Sequence, residues 1–160
     1  MKSLSSASGL YEDWIESFLG PVRFWASEEY LLGISLGVVK AVRANRITEQ
    51  TKEWLESYLA KEPLEPSIPL LPPNSPFAAD VRKAVMAIPF GSCATYGEIA
   101  KKAGNSQAAR AVGALMRSNP YMILVPCHRI IAKNGLGGYN GGLKIKRKLL
   151  EFEECVSINS

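Results

Sequence analysis

The chain has 160 residues, 47% of them apolar and 21% charged, which matches the ~150 residues of one domain and excludes a disordered or fibrous chain. Charge is unevenly spread: seven basic and ten acidic residues over 1–75, twelve basic and five acidic over 76–160, which fits a polyanion partner for the second part only and equally a solvated surface of uneven sign. The longest uncharged apolar run, 31–39, is far short of the ~20 residues that span a bilayer. Three cysteines at wide, irregular spacing do not make a disulfide framework, and a single histidine, His128, argues against a zinc site. The opening MKSLSSASG has no secretory apolar segment. The expected setting is therefore intracellular.

In chain order, Val22–Ala26 and Leu31–Leu36 flank the polar turn Ser27-Glu28-Glu29 and predict a hairpin. Residues 48–61 carry Trp54, Leu55, Tyr58 and Leu59 at helical spacing. Six of the ten prolines fall within 63–76, an extended connector in which 68–71 can pair as an edge strand. Ser75 then caps a helix that begins at Pro76, with Phe77, Val81, Val85 and Ile88 near one face until Pro89 and Gly91 end it. A short helix over 96–103 is closed by Gly104-Asn105, and a longer one over 107–118 is stopped by Asn119-Pro120, which are helix-turn-helix proportions. In the longer helix Ala108, Ala111, Val112, Leu115 and Met116 form a core-facing stripe. Its other face, Arg110, Gly113, Ala114 and Arg117, is almost bare except for two arginines, as close approach to a nucleic-acid groove requires, although small residues also suit plain helix packing.

Residues 122–125 read as a short β-like run that ends in Pro126-Cys127-His128-Arg129 and is followed by Ile130-Ile131. Five glycines within 135–142 predict a tight loop without the lysine and hydroxyl spacing of a Walker loop. A last helix from 143 to about 154 turns Ile145, Leu149 and Phe152 inward. The expected class is α/β, in the α+β sense. A small antiparallel-sheet subdomain covers 1–62, the proline-rich connector 63–75, and a mainly helical domain with a helix-turn-helix 76–160.

A lone cysteine is usually a core residue, but Cys127 adjoins the only histidine and an arginine, neighbours that lower a thiol pKa from its usual ~8.5. In a regular strand Cys127 and His128 point to opposite faces, so either the chain turns here or a water bridges thiol and imidazole. Glu153, one turn after Leu149, sits beside an apolar stripe, where a carboxylate is costly unless partnered. His128 is the obvious partner and would complete a Cys–His–Glu relay; the plain alternative is a surface glutamate at a helix end. Cys93 and Cys155 read as structural or incidental.

PCHRII after an apolar run, AARAVG in the preceding helix, SNP at its end, TY at the start of the short helix and GGYNGGL downstream resemble the O6-alkylguanine-DNA alkyltransferases, over about 75–153. The resemblance implies a monomeric DNA repair protein, cytoplasmic and nucleoid-associated in a prokaryote or nuclear in a eukaryote, that reaches double-stranded DNA from the minor groove. It would turn out O6-alkylguanine, or O4-alkylthymine, and move the alkyl group irreversibly to its own cysteine, once per molecule. On this chain Cys127 becomes the alkyl acceptor, His128 its base through a water, and Glu153 the group that orients the histidine. Tyr96 helps turn the nucleotide and assists the leaving guanine, Arg110 fills the gap in the stack, and Asn119 is the hinge before the site. DNA contact falls to Tyr96, Gly97, Asn105, Arg110, Gly113, Ala114 and Lys133. The base pocket falls to Cys127, Ile130, Tyr139 and Asn140, with the carbonyls of Cys127 and Ile130 accepting from the guanine amino group. No metal and no cofactor are implied, and the zinc site of human-type members has no ligands here.

Asn140 stands where well-known members carry serine, so the hydroxyl contact to O6 does not carry over to this chain, while a backbone N–H at this position survives the change. Chemistry supports the assignment independently. A base inside a duplex must be extruded before an enzyme can act on it, and a thiolate suits displacement at an alkyl carbon. The thioether product offers no facile hydrolysis. The competing readings are a damage-binding protein of the alkyltransferase-like kind, which lacks the cysteine this chain has, and a Cys–His hydrolase.

Overall fold

The computed structural model describes residues 9–155; the stretch 1–8, which carries most of the expectation about export, lies outside them. The chain divides into two compact units between Leu71 and Pro72, and its architecture is mixed α+β. Among the described residues no helix is long and apolar enough to cross a membrane.

In the first unit, β1 (Tyr11–Ile15), β2 (Val22–Ala26) and β3 (Leu31–Leu36) form an antiparallel sheet in that order. The predicted hairpin is β2–β3, and β1 is an addition that sequence reading left out. Alternation along β2 buries Val22, Phe24 and Ala26 on one side, where Trp54, Leu55 and Tyr58 of α1 (Arg46–Leu59) complete the core. The helix starts two residues earlier than periodicity suggests because Asn45 and Thr48 form a reciprocal capping box. The proline-rich segment contributes a bridge, with Leu31 N donating to Pro69 O at 2.8 Å, so part of it belongs to this unit.

The second unit begins with α2 (Pro76–Met86), which Ser75 caps through a 3.0 Å bond from Ala78 N. It continues through β4 (Ala94–Thr95), α3 (Tyr96–Lys102), α4 (Ala109–Arg117), a 3₁₀ turn (Cys127–Arg129), β5 (Ile130–Ile131) and α5 (Leu143–Phe152). Its core joins Val81 and Val85 of α2, Ile99 of α3, Val112 of α4 and Leu149 and Leu150 of α5. Gly104 at φ +91° provides the left-handed residue that ends α3.

Two expectations are corrected here and one is narrowed. Residues 122–125 are not a strand. The Asn119 side chain bonds Tyr121 N at 3.0 Å and Val125 O at 3.0 Å, taking groups a partner strand would need, and Ile123 sits at φ +71°. On α4 only Val112 of the expected stripe is fully buried, and Ala111 is exposed. Finally, Cys93 and Cys155, read as structural or incidental, are structural: they form a disulfide across 62 residues. The Gly91 turn brings the first cysteine to the end of α5, where a Cβ on Gly91 would lie 3.1 Å from Glu153 O.

Candidate active site

Two residues of parallel pairing bring the site together. Ala94 pairs with Ile130 and Thr95 with Ile131. Because α3 starts immediately after β4, and β5 follows immediately after the 3₁₀ turn, the register places Tyr96 beside the segment that carries Cys127. Thr95 and Glu98 close a capping box at 3.1 and 3.2 Å, which fixes Tyr96 as the first helical residue.

The chain turns at Cys127, one of the two possibilities left open by the sequence. Cys127 N donates to Val125 O at 2.7 Å, and Asn119 Nδ2 donates to Cys127 Sγ at 3.2 Å. The thiol is buried, and burial pushes its pKa up despite the Asn119 hydrogen bond and the Lys146 charge. This reverses the expectation of a thiol lowered by its neighbours, because desolvation penalises the thiolate more than those neighbours stabilise it. Such a thiol needs a base when it reacts.

The His128 ring is fully buried and accompanied by Glu153 Oε1 at 2.6 Å from Nε2. Burial raises the Glu153 carboxyl, but the hydrogen bonds and charges of His128 and Arg129 overcome this and bring it down to about 2. An ionised carboxylate only accepts, so Nε2 carries hydrogen, and in a neutral imidazole Nδ1 is then the basic nitrogen. Burial lowers the His128 pKa, against the pull of Glu153, so the ring is neutral near pH 7. Nδ1 has no hydrogen-bond partner among the described residues. It is the atom that can take a proton.

A cavity of about 550 Å³ opens on Cys127, within the size range of small-molecule sites. Tyr96, Arg110, Gly113, Tyr139 and Asn140 line it with Cys127. Tyr96 Oη donates to Gly138 O at 3.4 Å, and burial followed by proximity to Cys127 raises its pKa, keeping the hydroxyl a donor. The same two causes raise Tyr139 further. An added Cβ at Gly113 would stand 3.8 Å from the Tyr96 ring, so this glycine keeps the α4 wall flat.

Of the residues singled out by sequence, the structure thus gathers Cys127, Tyr96, Arg110, Gly113, Tyr139 and Asn140 around one cavity, with Asn119, His128 and Glu153 behind the thiol. Gly97, Asn105, Ala114 and Lys133 are exposed and outside its lining, and Ile130 is fully buried. Sequence reading missed Lys146 and gave Arg129 only the part of a cation that lowers the thiol pKa. Lys146 is fully buried, its Nζ donating to Ile130 O at 2.6 Å and Gly138 O at 3.0 Å, and burial lowers its pKa to about 8. Its signal was a lysine three and four residues before Leu149 and Leu150, on the apolar face. Met116 and Arg117 also line the cavity, the first from the expected core stripe and the second from the bare face.

The geometry can be set beside known proteins. Residues 76–155 match the family described as 6-O-methylguanine DNA methyltransferase, DNA binding domain. A methylated-DNA–protein-cysteine methyltransferase of Methanosarcina acetivorans is 38% identical over 153 residues, covering 90% of this chain and 98% of that one. A protein of the same name from Saccharolobus solfataricus is 44% identical over 99 residues, 62% of this chain and 64% of that one. The crystal structure of the Mycobacterium tuberculosis O6-methylguanine methyltransferase superposes with a TM-score of 0.73 at 33% identity, over 91% of this chain and 93% of that one. The structure of the M. tuberculosis protein in complex with DNA gives 0.76 at 34%, over 89% and 92%. The chain belongs to the methylated-DNA–protein-cysteine methyltransferase family.

Proposed function

We propose that this protein repairs DNA by moving the alkyl group of O6-alkylguanine, or of O4-alkylthymine, to Sγ of Cys127, once per molecule. The observation that carries this reading is a buried cysteine at a cavity, backed by a neutral histidine whose Nδ1, without a partner among the described residues, is basic and whose other nitrogen is tied to an ionised glutamate.

In the sequence of events we infer, α3 and α4 act as a DNA-binding helix-turn-helix in the minor groove. The exposed face of α4 meets the backbone, and Arg110 occupies the space left when the damaged nucleotide swings out. Gly97, Asn105, Ala114 and Lys133 lie outside the cavity and exposed, as backbone contacts require. Extrusion costs a few kcal/mol, least for a poorly paired base. Inside the cavity the carbonyls of Cys127 and Ile130 accept from the guanine amino group. Each already accepts one hydrogen bond, from Ile130 N and Lys146 Nζ respectively, and a carbonyl has a second lone pair to offer.

The thiol proton passes through a water to His128 Nδ1. The resulting thiolate attacks the alkyl carbon in line with the C–O bond, forming C–S as C–O breaks, and the electron pair leaves with the base oxygen. Tyr96 Oη and the Asn140 N–H stabilise the leaving base. The product is a thioether, and no group in the site offers a route to its hydrolysis, so turnover stops at one. The protein acts as a monomer in whichever compartment holds the DNA.

Incubation with a duplex carrying methyl-labelled O6-methylguanine, followed by peptide mass spectrometry, tests this reading. One methyl per molecule on Cys127, and none in Cys127→Ala, is the expected result. Label on another residue, or many turnovers per molecule, would refute it. Equal repair in cells by Cys127→Ala would favour damage binding alone, and hydrolysis of simple esters without DNA would favour a Cys–His hydrolase.

A further inference from the structure

Beside His128, the Glu153 carboxylate is held by Arg129, which the relay does not use. Arg129, the residue after His128, sends Nε to Glu153 Oε2 at 2.8 Å and a terminal nitrogen to Oε1 at 3.0 Å, while its other terminal nitrogen donates to Ile88 O at 2.8 Å. The guanidinium is buried, and the Phe90 ring lies 5.8 Å from its centre. This fork-to-carboxylate geometry fixes the plane of the carboxylate, which a single bond from an imidazole does not do.

We propose that Arg129 is a positioning residue for alkyl transfer: by forking Glu153 and carrying its counter-charge, it leaves His128 a neutral, hydrogen-bonded base with Nδ1 available for the thiol proton. The proposal rests on the relay reading above and deepens it. Two cations cannot both neutralise one carboxylate. If the arginine were absent, the buried glutamate would draw a proton onto the imidazole, and an imidazolium cannot accept from the thiol. The charged groups acting on the ring are Lys146 from α5, Glu153 just after its end and Arg129 from the ring's own turn; Glu153 favours the charged ring, and the other two oppose it. Cys127 completes the titratable groups of the turn.

His128 is the only histidine in the chain, so its imidazole nitrogens can be followed by ¹⁵N NMR without ambiguity. The experiment uses the full chain, a duplex carrying O6-methylguanine, and the variants Arg129→Met, Arg129→Lys and Glu153→Gln, with transfer rates measured across pH. In Arg129→Met the His128 titration and the acid limb of the rate profile should both move to higher pH. The rate near neutral pH should fall about tenfold, part of the ~10²–10⁴ that a positioned general base supplies. Arg129→Lys, which keeps the charge but not the fork, should hold the acid limb in place while the rate stays reduced.

An unmoved His128 titration and acid limb in Arg129→Met, with only a lower melting temperature, would overturn the proposal and leave Arg129 a structural ion-pair partner. Should the methionine variant not fold, the lysine variant decides: a retained limb with a reduced rate supports the proposal, and a parental rate overturns it. Failure of the relay itself would look different, since Glu153→Gln would then keep both the parental rate and the parental limb.

Discussion

At the scale of single residues, the cluster around Glu153 links the chemistry to stability. Its carboxyl titrates near 2 in the folded chain, below its ordinary value of 4.5, so between those limits the unfolded chain binds more protons and stability falls as pH drops. His128 acts in the same direction one step earlier. Its folded pKa lies below the ordinary 6.5, so acidification through that value also favours the unfolded chain. Urea unfolding followed from neutral to acid pH should therefore lose stability in two stages, one below about pH 6.5 and one between about 4.5 and 2. Glu153→Gln should abolish the second contribution and cost about 3–5 kcal/mol near neutral pH, because Arg129 is left buried without its carboxylate. A denaturation curve within about 1 kcal/mol of the parent would count against this. Cys127, His128 and Glu153 were legible because each residue type is conspicuous where it stands. Lys146 was not: a lysine on an apolar stripe reads as a stem lying along the surface, and only the fold reveals two carbonyls converging on its ammonium.

At the scale of elements, most of the helices were legible from caps, and the short strands were not. Ser75-Pro76 and Gly104 mark their helix ends by local chemistry. β4 and β5 are two residues each and exist only as a pair, so no periodicity announces them. The same limit explains 122–125, whose apolar run satisfies its backbone through Asn119 instead of a strand. The glycine-rich loop makes a sharper test. Gly137 has φ +73°, and an added Cβ would meet Ala132 N and Tyr96 Cε2, both at 3.1 Å. Gly137→Ala should destabilise the protein by about 1–2 kcal/mol and displace Tyr96, slowing methyl transfer. A variant with parental melting and parental rate would show that the loop tolerates the side chain. On α4, Arg110→Ala should slow transfer from duplex DNA more than from a single strand, where no stack needs filling. Equal slowing on both substrates would assign Arg110 to phosphate contact alone.

At the scale of the whole molecule, the charge division seen in the sequence follows the division into units. The second unit carries twelve basic and five acidic residues, and every residue gathered around Cys127 belongs to it. What the sequence could not announce is the bond between Cys93 and Cys155. Their nearness depends on the Gly91 turn meeting the end of α5, a contact between segments 62 residues apart. Closing a loop of that length stabilises a fold by about 4 kcal/mol on the chain-entropy account, equivalent to a melting temperature about 10 °C higher for a chain of this size. Melting in dithiothreitol, whose two thiols are oxidised as the bond is reduced, should fall by that amount. Cys93→Ser should melt at the lower temperature with or without reductant. Alkylation of the unfolded chain should find one thiol before reduction and three after it; three before reduction would show that the bond is not formed. The staple ends two residues beyond Glu153, yet that carboxylate is held independently by Arg129 and His128, and its backbone N–H donates to Leu149 O at 3.0 Å. Reduced protein kept well below its melting temperature should therefore transfer methyl at the parental rate, and a loss of rate without unfolding would mean that the relay depends on the covalent closure.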